Sequence, residues 1–239
     1  MKISIIYEDE NLLVVNKLAG ITVFPEGLKK EKTSSGDRSR TIIDYLLEKY
    51  PFLDKVGSSP RYGMIHRLDK ETSGILLVAK NNETLNFLQK QFKERRVIKK
   101  YIALLVGKLK ENSGIIKTLI GRSPRDGKRQ KAYLPFEPGS QGKREAVTEY
   151  RKIKEFQDYT LVEAIPKTGR KHQIRTHFAY LHHPIAGDRL YGFKGQKNPD
   201  NLKRHFLHAS YLKINLLNNK VTEFKSDLTE DLKNVIKDL

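Results

Sequence analysis

Residues 61 to 80 read Arg-Tyr-Gly-Met-Ile-His-Arg-Leu-Asp-Lys-Glu-Thr-Ser-Gly-Ile-Leu-Leu-Val-Ala-Lys. One carboxylate, Asp69, sits among His66, Arg67 and Lys70, and Gly74 then leads into the apolar run Ile75 to Val78. That run predicts a buried strand with Asp69 at its edge. A carboxylate held between cations stays ionised at neutral pH and is able to act as a nucleophile. The same side chain could instead cap a turn or neutralise Arg67. Taken alone, the pattern leaves both readings open.

Working outward, the 239 residues are enough for a substantial core. The formal net charge of +18 calls for a polyanionic partner, nucleic acid before an anionic membrane surface. No apolar run is long enough to span a bilayer, and Met1 to Tyr7 carry no signal-peptide pattern, so a soluble cytoplasmic protein is expected. The absence of cysteine excludes a disulfide framework and a thiolate zinc site. The cations are clustered: residues 93–100, then Arg122, Arg125, Lys128, Arg129 and Lys131, then Lys167, Arg170, Lys171 and Arg175. Clusters in the middle of the chain predict one basic face suited to phosphate contacts.

Strands are expected at Ile3–Tyr7, Leu12–Asn16, Tyr101–Gly107, Ile115–Ile120, Ala146–Ile153, Thr160–Ile165, Phe206–Ile214 and Val221–Phe224. Thr41 reads as the N-cap of a short helix stopped by Pro51, and further helices are expected over Glu83–Glu94, over Gly169–Leu181 and after Asp227. Residues 25–40, polar and glycine-containing, read as a flexible loop. Strands outnumber helices and many are joined as hairpins. The expected class is therefore α+β, a mixed, largely antiparallel sheet with flanking helices and loops.

His-Arg-Leu-Asp-Lys-Glu-Thr-Ser-Gly, residues 66–74, resembles the active-site motif of the RluA family of RNA pseudouridine synthases. Residues 7–20, 92–107, 168–177 and 183–192, and Leu207-His208-Ala209 with Leu212, are similar to other blocks of that family, in its order. The resemblance implies one catalytic domain over residues 1–239, with the family's active-site cleft across the sheet. It also implies an isomerase that converts uridine to pseudouridine in structured ribosomal or transfer RNA. That reaction breaks the N1–C1′ bond, turns the detached base, forms a C5–C1′ bond and removes the C5 proton, with no net redox change.

On this resemblance Asp69 is the nucleophile, whether it attacks C1′ or C6 or supports a glycal route. Tyr101 matches the residue that stacks on the flipped uracil and assists proton transfer. A strand tyrosine facing the core is the plainer reading of Tyr101. Arg175 matches the arginine that pairs with and orients the catalytic carboxylate, its plainer reading being a phosphate contact. Arg67 would position the RNA or fill the gap left by the flipped base, or else pair with a nearby acid. Lys99, Lys100, Arg122, Arg125, Lys128, Arg129, Arg170 and Lys171 are the candidates for RNA phosphate contacts.

No metal and no cofactor are expected. His172 and His177 are five apart, His182-His183 has no acidic or thiolate partner at ligand spacing, and Gly121, Gly127, Gly139 and Gly142 lack the P-loop lysine. A monomer without an obligatory protein partner is expected. The chain departs from the family at Leu18, where Pro is common, and at His182, where Gly is usual. An S4-type RNA-binding domain like that of many relatives is not expected. The rival from another class is a non-catalytic basic RNA-binding module or RNA chaperone. It would account for the charge but would not require Asp69, Tyr101 and Arg175 together.

Overall fold

In the computed structural model, residues 3–25 and 40–239 are described. The loop expected at about 25–40 lies outside them except for its end residues. The strands are β1 (Ser4–Glu8), β2 (Leu12–Lys17), β3 (Ser73–Ala79), β4 (Ile98–Val106), β5 (Ser113–Arg122), β6 (Gln130–Tyr133), β7 (Arg144–Glu155), β8 (Tyr159–Pro166), β9 (Leu207–Asn215) and β10 (Val221–Lys225). The helices are α1 (Ile42–Lys49), α2 (Asn82–Lys93), α3 (Gln173–Tyr180) and α4 (Glu230–Lys237). The class is α+β with a mixed, mostly antiparallel sheet, as the strand-rich hairpin pattern implies. The chain divides into two compact units, one of residues 1–97 and 211–226, the other of 98–210 and 227–239.

In the first unit β1, β2 and β3 pair antiparallel in that order. The β1–β2 turn is closed by Asp9, whose Oδ1 accepts the Asn11 and Leu12 amides at 2.8 and 2.7 Å. The β2–β3 register runs from Leu12 opposite Ala79 to Lys17 opposite Gly74. Every residue of β3 is buried, which is why the sequence after Asp69 reads as an unbroken apolar run rather than an alternation. Leu76, Leu77 and Val78 are wholly inaccessible and pack with Ile42, Ile43 and Leu46 of α1 and Leu85 and Leu88 of α2.

Helix α1 begins where expected: the Asp44 carboxylate accepts the Thr41 amide at 2.7 Å and its hydroxyl at 2.8 Å. Pro51 ends it by opening a 3-10 turn, Pro51–Lys55. Helix α2 starts one residue earlier than the periodicity indicates, because Asn81 Oδ1 accepts the Thr84 amide at 2.9 Å.

In the second unit the strand order is β4-β8-β7-β5-β6, each neighbouring pair antiparallel. Strand β6 is not anticipated from sequence. It has four residues, one a lysine, and among the described strands it pairs with β5 alone at the end of that order. Helix α3 begins at Gln173 rather than Gly169 because His172 takes a left-handed φ of 54° at its N-cap. Helix α4 is capped at Thr229, two residues past Asp227, and the Arg204–Asp231 ion pair at 2.7 Å ties its first turn down. Among the described residues no helix is long and apolar enough to cross a membrane.

His177, inaccessible on α3, is bonded to Thr118 Oγ1 (3.1 Å) and Thr148 Oγ1 (2.8 Å), and burial lowers its pKa from 6.5 to about 4. Unfolding releases this constraint, so between pH 6.5 and about 4 the unfolded chain binds the extra proton. Stability is expected to fall as pH is lowered across that window, by up to about 3 kcal/mol from this group. Urea unfolding of wild type and His177→Gln at pH 7, 5.5 and 4.5 checks this. The variant's stability should depend less steeply on pH, and identical slopes would contradict the assignment.

Candidate functional site

In the first unit the Asp69 segment is built against β3. The chain from Gly63 runs beside that strand: Met64 bridges Val78, the Ala79 amide bonds Gly63 O at 2.8 Å, and His66 Nε2 accepts the Leu77 amide at 3.2 Å. His66 also stacks flat on Phe92 of α2, with centroids 5.0 Å apart. The chain then reverses at Asp69, whose carbonyl accepts the Thr72 amide at 3.1 Å. Leu68 and Thr72 are buried on either side, and Asp69 itself is half-buried.

The reversal is clamped from β2. Lys17, fully inaccessible, donates from Nζ to Leu18 O (2.8 Å), Lys70 O (2.9 Å) and Thr72 O (2.8 Å). Those three acceptors match the three protons of an ammonium, which is how a buried lysine avoids an unsatisfied charge. The Gly20 amide adds a bond to Lys70 O at 2.9 Å. Arg67 lies over the Phe24 ring at 5.2 Å. Burial pushes its guanidinium below the usual value while the charge of Asp69 pulls it back up. The two side chains thus share one electrostatic environment.

In the second unit Tyr101 is half-buried on β4, opposite Ala164 of β8. Alternation along a strand puts Lys99 on the face of Tyr101 and Lys100 on the other. The difference is chemical. Lys100 pairs with Glu163 at 3.3 Å, whereas burial brings the Lys99 amine down to about 8. A Cβ at Gly169 would lie 3.9 Å from Lys99 Nζ, an ordinary contact, which places the amine beside the loop that precedes α3.

Arg175 is buried on α3 and makes a two-point pair: Nε to Asp188 Oδ2 at 2.7 Å and Nη2 to Oδ1 at 2.9 Å. The bidentate geometry anticipated for Arg175 is therefore formed, in this unit, with Asp188. Asp188 Oδ1 also accepts the Leu190 and Tyr191 amides at 2.9 and 3.1 Å. Burial alone would raise the Asp188 carboxyl, but the hydrogen bonds and charge of Arg175 hold it below the usual carboxylate range. The Arg175 guanidinium lies 5.0 Å over the Tyr191 ring, and the Tyr191 hydroxyl accepts the Gln130 amide at 2.7 Å and bonds His172 Nδ1 at 2.9 Å. The loop before α3 is fixed by Gln173, whose Oε1 accepts Thr168 Oγ1 and the Arg170 amide. Arg175 is thus rigidly mounted.

Among the phosphate candidates, Arg122, Arg125, Lys128 and Arg129 are exposed at the β5–β6 turn, where Arg129 pairs with Asp126 at 3.2 Å. Lys171 is exposed, and Arg170 donates from Nε to Glu145 O at 2.9 Å. Lys17, Asp188 and Tyr191 carry no role in the sequence reading. All three lie in blocks that resemble the family, but a lysine ending an apolar strand, and an aspartate and tyrosine three apart, do not reveal their partners.

Residues 11–180 match the family model described as RNA pseudouridylate synthase. The chain is 43% identical over 202 residues to a protein of Aquifex aeolicus (strain VF5) named uncharacterized RNA pseudouridine synthase, covering 84% of this chain and 59% of that one. It is 41% identical over 190 residues to the ribosomal large subunit pseudouridine synthase D of Xylella fastidiosa (strain Temecula1), covering 80% and 52%. It therefore spans between half and two thirds of the length of these curated relatives. Among solved structures, human RNA pseudouridylate synthase domain containing 1 superposes with a TM-score of 0.76 at 28% identity, covering 98% of this chain and 87% of that one. A match over more than two thirds of the chain, the Asp69 segment included, shows that the chain belongs to the RluA-type family of RNA pseudouridine synthases.

Proposed function

We propose that the protein isomerises uridine to pseudouridine in structured RNA, with Asp69 as the nucleophile. The observation that carries this is the Asp69 turn. Its backbone is held at the Lys70 and Thr72 carbonyls by one buried lysine, so the carboxylate is presented from a rigid frame, as a reacting group requires. Tyr101 stacks on the detached uracil and helps to move the C5 proton, and Arg67 holds the RNA beside the flipped nucleotide. Arg175, fixed by Asp188, supplies the guanidinium that keeps the nucleophilic carboxylate ionised and oriented. The proposed substrates are ribosomal and transfer RNA; the printed name of the Xylella relative favours large-subunit ribosomal RNA.

Formation of the C5–C1′ bond expels the C5 hydrogen as a proton. RNA labelled with tritium at uridine C5 should therefore release label to water when the protein is added. Release no faster than in protein-free RNA would count against the reading.

The exposed cations of the β5–β6 turn are proposed to hold phosphates. Arg125→Ala or Lys128→Ala should weaken binding to any RNA and reduce the slope of log affinity against log salt by about 0.7–0.9 for each phosphate no longer held. Lys100→Ala should change the slope less, because Lys100 is committed to Glu163. Equal slopes in wild type and both turn variants would remove this turn from the interface.

A further inference from the structure

Phe136, in the β6–β7 loop, is 98% exposed. Its backbone φ of 68° is left-handed, a conformation that glycine adopts freely and a bulky aromatic adopts at a cost. The loop around it is nonetheless firmly built. The Glu137 carboxylate accepts the Leu134 amide at 3.0 Å and pairs with Lys131 Nζ at 2.8 Å. Three backbone bonds follow in sequence: Glu137 N to Leu134 O, Ser140 N to Glu137 O, and Lys143 N to Ser140 O. A strained residue, framed by turns, holds an apolar ring in water. Folding gains almost no burial from such a ring.

The surroundings indicate what the ring is for. Residues 121–145 carry seven cations against three acids. Lys131 Nζ lies 4.4 Å and Lys143 Nζ 5.7 Å from the centroid of the Tyr133 ring, so both ammonium groups gather at this end of the strand. Of the acids, Glu137 is neutralised by Lys131 and Asp126 by Arg129. An exposed flat ring beside lysines suits a nucleobase face next to its phosphates.

We propose that Phe136, with Lys143, forms a stacking site for an unpaired nucleotide of the RNA. This rests on the RNA reading above and adds a partner feature to it: a looped or bulged base, since a paired base has no free face to offer. Strand β6 makes the site consequential. It spans about 10 Å, and at its other end the Gln130 amide is bonded to the Tyr191 hydroxyl that packs on Arg175. A base seated on Phe136 would fix the RNA relative to Arg175.

The test compares two RNAs of equal length, one with an unpaired loop and one fully paired, against wild type, Phe136→Gly, Phe136→Leu and Phe136→Tyr. Phe136→Gly relieves the left-handed strain, so its melting temperature should not fall. Its affinity for the looped RNA should drop roughly 5- to 150-fold, with duplex affinity and salt slope unchanged. Phe136→Leu should behave like the glycine variant and Phe136→Tyr like wild type, because planarity is what matters. Undiminished looped-RNA affinity in Phe136→Gly, or equal losses on both RNAs, would overturn the stacking site. If wild type releases tritium and Phe136→Gly binds normally, only the stacking site fails. If Phe136→Gly loses looped-RNA affinity but wild type is inactive, only the catalytic reading fails.

Discussion

Asp69→Asn should abolish tritium release, with a loss on the order of 10⁴-fold or more, while RNA affinity and the melting temperature stay near wild type. The asymmetry follows from how the turn is held. Bonds that fix it run through the backbone carbonyls of Lys70, Thr72 and Asp69, and the substitution removes none of these. An amide of the same shape retains those bonds but cannot serve as the nucleophile. Arg67 would lose the charge that partly offsets its burial, so a modest change in stability is expected. The check is single-turnover kinetics and equilibrium binding on one transcript. Activity within tenfold of wild type would remove Asp69 from the nucleophile's role.

Asp188→Ala should destabilise the fold by about 3–5 kcal/mol, because it removes the carboxylate that pairs at two points with a buried guanidinium. Screening does not reduce this figure much: the side chains of Asp188 and Arg175 are 0% and 9% exposed. The pair also sets an acid limit. With its folded pKa below the ordinary value, Asp188 contributes stability that is present above the unfolded pKa of about 4 and lost as pH falls through the folded one. Urea unfolding at neutral pH measures the cost, and a loss under about 1 kcal/mol would contradict the buried-pair account. Arg175→Ala separates structure from chemistry. If Arg175 supports the nucleophile, the rate at saturating protein should fall by more than the affinity does. A variant that loses affinity alone would make Arg175 a phosphate clamp.

Much of the fold was legible because its strongest signals are local. The apolar runs at Leu12 and Ile75, the Thr41–Asp44 cap with Pro51 after it, and the hairpin alternation from Tyr101 to Ile165 all report their own conformation. The misses arose where distant contacts override local preference. Strand β6 exists because β5 offers it a ladder, and its Lys131 gives no apolar pattern to read. The start of α3 is set by the left-handed His172 and by the bonds of Gln173 to Thr168 and β7.

The site divides in the same way. Asp69, Tyr101 and Arg175 could be proposed as candidates from their motifs. Their supports could not, since the acceptors of the Lys17 ammonium lie up to 55 residues away and the Asp188 pair closes over 13. Lys99 and Lys100 look equivalent in sequence, and only strand alternation separates the one beside Tyr101 from the one held by Glu163.

The most direct test of the central claim is to incubate the protein with unmodified ribosomal RNA and, separately, transfer RNA, and to map pseudouridine chemically at nucleotide resolution. The account predicts pseudouridine at discrete uridines in at least one of the two with wild-type protein, and none with Asp69→Asn. No pseudouridine in either RNA, or the same sites modified by both proteins, would contradict it.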